Sequence, residues 1–245
     1  MNPLEYSGWG MSHKGYVRPK NEDAYLVDNQ SGCYAVADGL GGHPGGEIAS
    51  HLAVNAFQQQ VLARRHAGIS FKEDELMELT ESLNRTVLVY GLQQPEVRGL
   101  GTTFSGLVVE GDGIWILHTG DSRIYGLTET GNLIQLTEDQ TVAMDLVNQG
   151  KLDLAEAEHH AHWHILTSCL GMTSCRPEVL SLKARGYTYF FLCTDGLSNL
   201  VNASEIQAEL AASEDSPEAL CRRLVDKALV RGGVDNVTVV LVTIR

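Results

Sequence analysis

Four aspartates stand at the ends of apolar, strand-like runs in four widely separated parts of the chain, and any fold must find a place for them. Asp38 ends the run 33–37, Asp121 follows 114–120, Asp195 ends 189–194 and Asp235 precedes 236–244. A carboxylate at the end of a buried strand is costly unless it is solvated, hydrogen-bonded or paired with a cation. One such residue reads as the aspartate of an Asp-Gly turn. Four of them point to strands that converge on a shared cation site.

Composition narrows the class. The 245 residues are 43% hydrophobic and 20% charged, enough for one large domain or two small ones with a sizeable core. No apolar run approaches the ~18 residues of a membrane span. The first residues carry neither the basic stretch nor the apolar core of a secretion signal, so a cytoplasmic protein without a membrane partner is expected. The five cysteines are odd in number and lack a CxxC pair, so they read as buried, reduced thiols. A net charge of −13 with no basic stripe argues against a nucleic-acid partner. The acidic excess reads either as solubility or as carboxylates collected to hold a cation, and charge alone does not separate the two.

Strand patterns fall near 24–28, 33–37, 103–110, 113–119, 123–127, 133–136, 179–184, 188–194 and 237–244. The turns 110–113 and 128–132 read as hairpin connections. Helical patterns cover about 45–65, 72–92, 141–150, 203–212 and 217–230. The last opens with Ser216 as N-cap and Pro217 at the first position, and stops at Gly232-Gly233. Strict strand–helix alternation is absent, which favours an α+β fold with helices outside antiparallel sheets. The polar, irregular stretch 139–167 is expected to lie outside the core of a single domain spanning 1–245.

The segment Asp38-Gly-Leu-Gly-Gly-His-Pro-Gly-Gly46 packs five glycines into nine residues, which implies unusual backbone angles and close approach. It is not a phosphate-binding P-loop, since no Gly-Lys-Ser/Thr follows, and Pro44 breaks the dinucleotide fingerprint. What remains is an aspartate, an exposed carbonyl at Gly39 and an imidazole at His43. Upstream, Arg18 stands with Asn21, Glu22 and Asp23, and arginine suits fork-like binding of a tetrahedral oxyanion. Ser122 lacks a nucleophile-elbow context, so a Ser-His-Asp hydrolase is not expected. Each residue also has a plain reading: Asp38 and Asp195 as turn residues, Asp121 with Arg123 as a surface pair, Arg18 as part of a local ion pair, and His43 as a loop histidine.

Taken together and in order, Arg18-x-x-Asn-Glu-Asp23, Asp38-Gly-Leu-Gly-Gly-His43, Gly101-Thr-Thr, Gly120-Asp-Ser-Arg123, Asp195-Gly-Leu-Ser and Gly233-x-Asp-Asn236 resemble protein phosphatase 2C-type (PPM) metal-dependent phosphatases. The segments 136–140 and 165–171 resemble the bacterial members, and the resemblance runs from about residue 8 to 244.

The resemblance implies an αββα sandwich of two antiparallel sheets flanked by helices. It implies hydrolysis of phosphoserine and phosphothreonine in proteins by a metal-bridging hydroxide attacking phosphorus, with two Mg²⁺ or Mn²⁺ ions. Asp38 would bridge the ions, the Gly39 carbonyl would bind one, and Asp195 and Asp235 would complete the other. Asp23 and Glu22 would hold metal-bound water, and Asp121 with Asp195 would form a third, weaker site. Arg18 would bind the substrate phosphate and His43 would serve as general acid. Asn199 stands where the family often has an aspartate, keeping an oxygen but not the charge. The stretch 139–167 matches a variable flap; its His159, His160, His162 and His164 have no ordered metal-ligand spacing. Phosphoprotein substrates, a cognate Ser/Thr kinase, a role in signal transduction and a monomeric state complete the expectation. The alternatives are a pseudophosphatase acting as a phosphoprotein-binding scaffold and a hydrolase of small phosphate esters.

Overall fold

The strands that read as continuously apolar are buried on both faces, because each of two sheets is covered on one side by the other sheet and on the other by helices. The computed structural model describes residues 4–42, 44–157, 160–211 and 215–245. One sheet contains β1 (Tyr6–His13), β10 (Val237–Ile244), β9 (Tyr187–Cys193), β6 (Arg123–Thr128) and β7 (Leu133–Gln135), in that order. The other orders β2 (Asp23–Asp28), β3 (Cys33–Asp38), β4 (Phe104–Glu110), β5 (Gly113–Thr119) and β8 (Glu178–Lys183). Every pairing is antiparallel.

The two-residue side-chain period of each strand sorts its residues into separate cores. On β3, Tyr34 and Val36 face the other sheet, where they meet Phe190, Leu192, Val240 and Val242. Cys33, Ala35 and Ala37 face outward, against α1 (Gly46–Ala67) and α2 (Glu73–Gln93). On the opposite face of the molecule Phe191, Cys193, Val239 and Leu241 pack under α6 (Ala203–Ala211) and α7 (Pro217–Val230). The result is the expected αββα sandwich. The five cysteines are free thiols, four of them buried. No helix among the described residues is long and apolar enough to cross a membrane.

The sequence periodicity predicts most elements, including the α7 cap, where the Ser216 side chain accepts a hydrogen bond from the Ala219 N–H. It does not predict β1. Gly8 and Gly10 interrupt the apolar pattern there, yet the strand pairs with β10 from Tyr6↔Ile244 to His13↔Val237. The glycines have a packing reason: a Cβ at Gly8 would collide with the Tyr34 ring, and one at Gly10 would stand 2.6 Å from the Tyr25 ring. The one-turn helix α5 (Asp195–Ser198) is also unforeseen, since four residues are too few to show a helical period.

The stretch 139–167 lies outside both sheets and contains α3 (Val142–Asn148) and α4 (Leu154–Ala157). Its two ends are stitched together: Thr167 N–H donates to the Gln140 carbonyl at 2.8 Å and Val142 N–H to the Ile165 carbonyl at 2.9 Å.

Candidate active site

At one end of the sandwich, strands from both sheets deliver carboxylates to a common place. The β2–β3 register sets Asp23 directly opposite Asp38. Like charges opposed across a ladder are destabilising, so this pair marks a position held for something other than stability. Asp38 is pinned through its backbone: its N–H donates to Thr103 Oγ1 at 2.9 Å, and its carbonyl accepts from Thr103 N–H at 2.9 Å and Thr102 Oγ1 at 2.8 Å. The side chain is thereby left available. Asp195 opens α5, where no side chain caps the helix. The glycine that follows it is required, because a Cβ at Gly196 would collide with the Asn236 carbonyl. That close approach brings the Asp195 and Asp235 turns together.

Arg18, Asp38, Asp121, Asp195 and Asp235 all line one cavity of about 550 Å³. The four strand-end aspartates do converge. Trp163 and His164 from the stretch 139–167 also line it, as does Asn199. Asp23 lies behind, buried, its Oδ2 accepting from Thr194 Oγ1 at 2.9 Å and Thr238 Oγ1 at 2.6 Å. Thr238 lies on β10 of the opposite sheet and Thr194 immediately follows β9 of that sheet, so Asp23 ties the two halves of the sandwich together at the site.

The electrostatics ask for positive charge. Burial raises the carboxyl pKa of Asp38 well above the usual range, and the neighbouring Asp23, Asp195 and Asp121 raise it further. Burial does the same for Asp121, with Asp195 and Asp139 adding to it. Asp195 is raised by burial and by Asp235. Asp23 is pushed up to about 7, burial outweighing its two threonine hydrogen bonds. Asp195 Oδ1 and Asp23 Oδ1 are buried with no hydrogen-bond partner among the described residues. A buried carboxylate oxygen without a donor is costly, and a hard divalent cation, directly or through its water, is the natural counterpart to an all-oxygen set. Among the described residues no three His, Cys, Asp or Glu side chains close around a single point. The donors instead line the walls of a wide cavity.

The remaining expected residues fall into place unevenly. Arg18 Nη2 donates to Asp235 Oδ2 at 2.6 Å, so its guanidinium is at the cavity wall and already neutralises one carboxylate. Gly39 forms an isolated bridge with Thr102, and a Cβ there would run into Gly46 and Glu22 backbone atoms. Glu22 stands aside, its Oε1 3.3 Å from Lys20 Nζ. His43 lies outside the described residues, as does His159. Asn199 caps α5 at its C-terminal end and its Nδ2 donates to Asp195 Oδ2 at 3.1 Å. Arg123 does not pair with Asp121: it grips Asp139 through Nε and Nη2, at 2.9 and 2.6 Å, beneath Trp163.

Two supports escape a reading for charged groups. The hydroxyls of Thr194 and Thr238 are invisible to it, although both end strand runs that face Asp23. Asn236 is the second. Its Oδ1 accepts from Glu22 N–H at 2.8 Å, and its Nδ2 donates to the carbonyls of Lys14 at 2.7 Å and Lys20 at 3.0 Å. It thus clamps both ends of the loop that carries Arg18.

Comparison with known proteins bears on the chain as a whole. The family model for protein phosphatase 2C matches residues 10–229. The serine/threonine protein phosphatase PstP of Mycobacterium tuberculosis is 33% identical over 230 residues, covering 94% of this chain and 43% of PstP. The chain therefore spans less than half the length of that relative. A putative 2C-type phosphatase of Streptococcus pyogenes is 33% identical over 233 residues, covering 93% of each. The crystal structure of the PstP catalytic domain in complex with two manganese ions superposes with a TM-score of 0.83 at 31% identity, covering 98% of this chain and 99% of that one. Sequence matched along nearly its whole length and a shared backbone lead to one conclusion: the chain belongs to the protein phosphatase 2C family.

Proposed function

We propose that the chain is a divalent-cation-dependent phosphatase that hydrolyses phosphoserine and phosphothreonine in proteins. The observation that carries the reading is the cavity itself, where Asp38, Asp195 and Asp235 converge with an unpartnered buried carboxylate oxygen and the Arg18 guanidinium beside them. Asp38, the Gly39 carbonyl, Asp195 and Asp235 would hold two Mg²⁺ or Mn²⁺ ions, with Asp23 and Glu22 acting through water. Asp121 and Asp195 would serve a third, weaker position. Two such ions supply a lowered water pKa and a clamp for in-line displacement at phosphorus.

The chain's own residues supply the rest. Arg18 would exchange its Asp235 partner for phosphoryl oxygens, and place a fixed charge where the transition state of phosphoryl transfer needs it. Thr194 and Thr238 keep Asp23 oriented. The general-acid role of His43 rests on the sequence alone. The scaffold alternative is not favoured, because it implies loss of cation ligands and Asp38, Asp121, Asp195, Asp235 and Arg18 are all in the chain. A cognate Ser/Thr kinase and a signalling role belong to the same proposal and rest on the family resemblance; a cytoplasmic location and a monomeric state belong to it as defaults of the sequence.

A metal-titrated assay with an aryl phosphate and a phosphothreonine peptide tests the reading. Phosphate release is expected with Mn²⁺ or Mg²⁺ and none with EDTA; hydrolysis that persists in EDTA defeats it. Arg18→Ala is expected to raise KM for the peptide about tenfold, the worth of one charge-assisted hydrogen-bond pair. The Mn²⁺ midpoint should move little, and unchanged kinetics would remove Arg18 from the site. Asn236→Ser should raise KM several-fold in the wild type and much less in an Arg18→Ala background, since it acts by positioning Arg18. Equal effects in both backgrounds would assign Asn236 a purely structural part.

A further inference from the structure

Beside the cavity the chain exposes large apolar side chains on a rigid base. Tyr16 and Val17 are each 67% exposed, Val234 is 53% and Val230 is 88% exposed. They belong to two segments, 15–17 and 229–235, that meet where the backbones of Tyr16 and Gly233 pair. Tyr16 N–H donates to the Gly233 carbonyl at 2.7 Å, and a Cβ at Gly233 would stand 3.1 Å from the Tyr16 ring and 3.0 Å from Leu229. One at Gly232 would stand 3.5 Å from Val234 Cγ1. The His13 ring meets Tyr16 edge-on, 6.0 Å between centroids.

The loop beneath is not loose. Asn236 holds the carbonyls of Lys14 and Lys20. Gly15, at φ +76°, lies so close to the Asp235 and Gly233 carbonyls that no side chain would fit. The apolar groups are therefore held out in water by a fixed backbone. Exposed apolar clusters of this kind mark contact sites, and a preorganised one binds without a further ordering cost.

Its position identifies what it contacts. Val17 immediately precedes Arg18, and Val234 immediately precedes Asp235, the ion pair that rims the cavity. Val17 and Val234 are thus each one residue from a side chain that lines the cavity. An extended chain advances roughly 3.3 Å per residue, so a peptide whose phosphoresidue is in the cavity carries near neighbours across this apolar shelf. Four side chains are too few for a stable dimer, which needs about 800 Å² from each partner. They suit one or two side chains of a substrate.

We infer that Tyr16, Val17, Val230 and Val234 receive an apolar side chain of the phosphoprotein substrate, close in sequence to the phosphorylated serine or threonine. The shelf then sets a preference among phosphoproteins that ester chemistry alone does not make. This rests on the phosphatase reading above.

The test compares wild type with Val17→Ser/Val234→Ser, both with Mn²⁺. The substrates are an aryl phosphate and phosphothreonine peptides in which Leu or Ser is walked through the four positions on either side. At one or two positions the wild type should favour Leu about tenfold in kcat/KM, the size of one well-packed aliphatic contact. In the double variant the ratio should fall to about twofold or less, carried by KM, with aryl phosphate hydrolysis unchanged. Anisotropy of the labelled peptides in EDTA reads the same Leu/Ser ratio without turnover. A failure of the phosphatase reading, seen as no aryl phosphate hydrolysis, is thus distinguished from a failure of the shelf. Absence of a Leu preference in the wild type, or its survival in the double variant, overturns the inference. So does wild-type self-association that the double variant loses while keeping its peptide preference, which would assign the shelf to a second copy.

Discussion

Asp38→Ala is expected to lower Mn²⁺-supported kcat on an aryl phosphate by about 10³-fold or more, while the protein stays folded. The size follows from removing a charge that organises the electrostatic centre of the reaction, where losing even one positioned donor costs about 10²–10³. The fold should survive because Asp38 is anchored by its backbone: the bonds to Thr102 and Thr103 do not involve its carboxylate. In EDTA the variant should even be more stable than wild type, since it no longer buries a carboxyl against Asp23, Asp195 and Asp121. A folded, more stable and inactive protein cannot be explained by misfolding. Activity within tenfold of wild type would remove Asp38 from the centre.

That pairing of stability and activity reflects how the site was legible in the sequence. The aspartates stood out because charge at the end of an apolar strand is anomalous wherever it occurs, and four anomalies have few common explanations. Asp38, Asp121, Asp195 and Asp235 are indeed gathered at one cavity. What the residues concealed is support by groups with no anomaly of their own. Thr194 and Thr238 look like ordinary strand residues, and their hydroxyls matter only because β9 and β10 end facing Asp23 across the sandwich. Asn236 looks like a turn residue, and its value lies in reaching backbone carbonyls more than two hundred residues away in sequence. β1 was hidden for the opposite reason. Gly8 and Gly10 read as breaks in a pattern, although they are the condition for the strand to lie against Tyr34 and Tyr25. Local periodicity reports how a segment meets a sheet or helix face; it does not report which distant side chain requires a gap.

With divalent ions removed by EDTA, stability should fall as pH rises from about 6.5 to 8, and Mn²⁺ should restore it more strongly at the upper end. Asp23 has a folded pKa of about 7 against an ordinary 3.8, and Asp38, Asp121 and Asp195 are shifted in the same direction. Carboxyls raised in this way hold their protons more tightly in the folded state. They leave the folded state unpenalised below the unfolded pKa and destabilise it progressively as pH climbs toward the folded value. For Asp23 alone the full penalty is on the order of 4 kcal/mol, most of it accrued below pH 6.5 and about 1 kcal/mol of it between pH 6.5 and 8. The exposed or half-exposed acids with lowered pKa, Asp28, Glu47, Glu205 and Glu209, act in the opposite sense, but their contribution is fully present above about pH 5 and no longer changes. Buried His118, its pKa lowered by desolvation, also opposes the trend and levels off above the ordinary imidazole value of 6.5. The window from 6.5 to 8 therefore isolates the cavity carboxyls. Denaturation at the two ends of that window, for wild type and Asp23→Asn, should show a slope in the wild type that the variant flattens. A wild-type stability in EDTA that is level or rises across the window would mean the carboxyls are not charged against one another. The cation would then lose its reason for being where four strand ends meet.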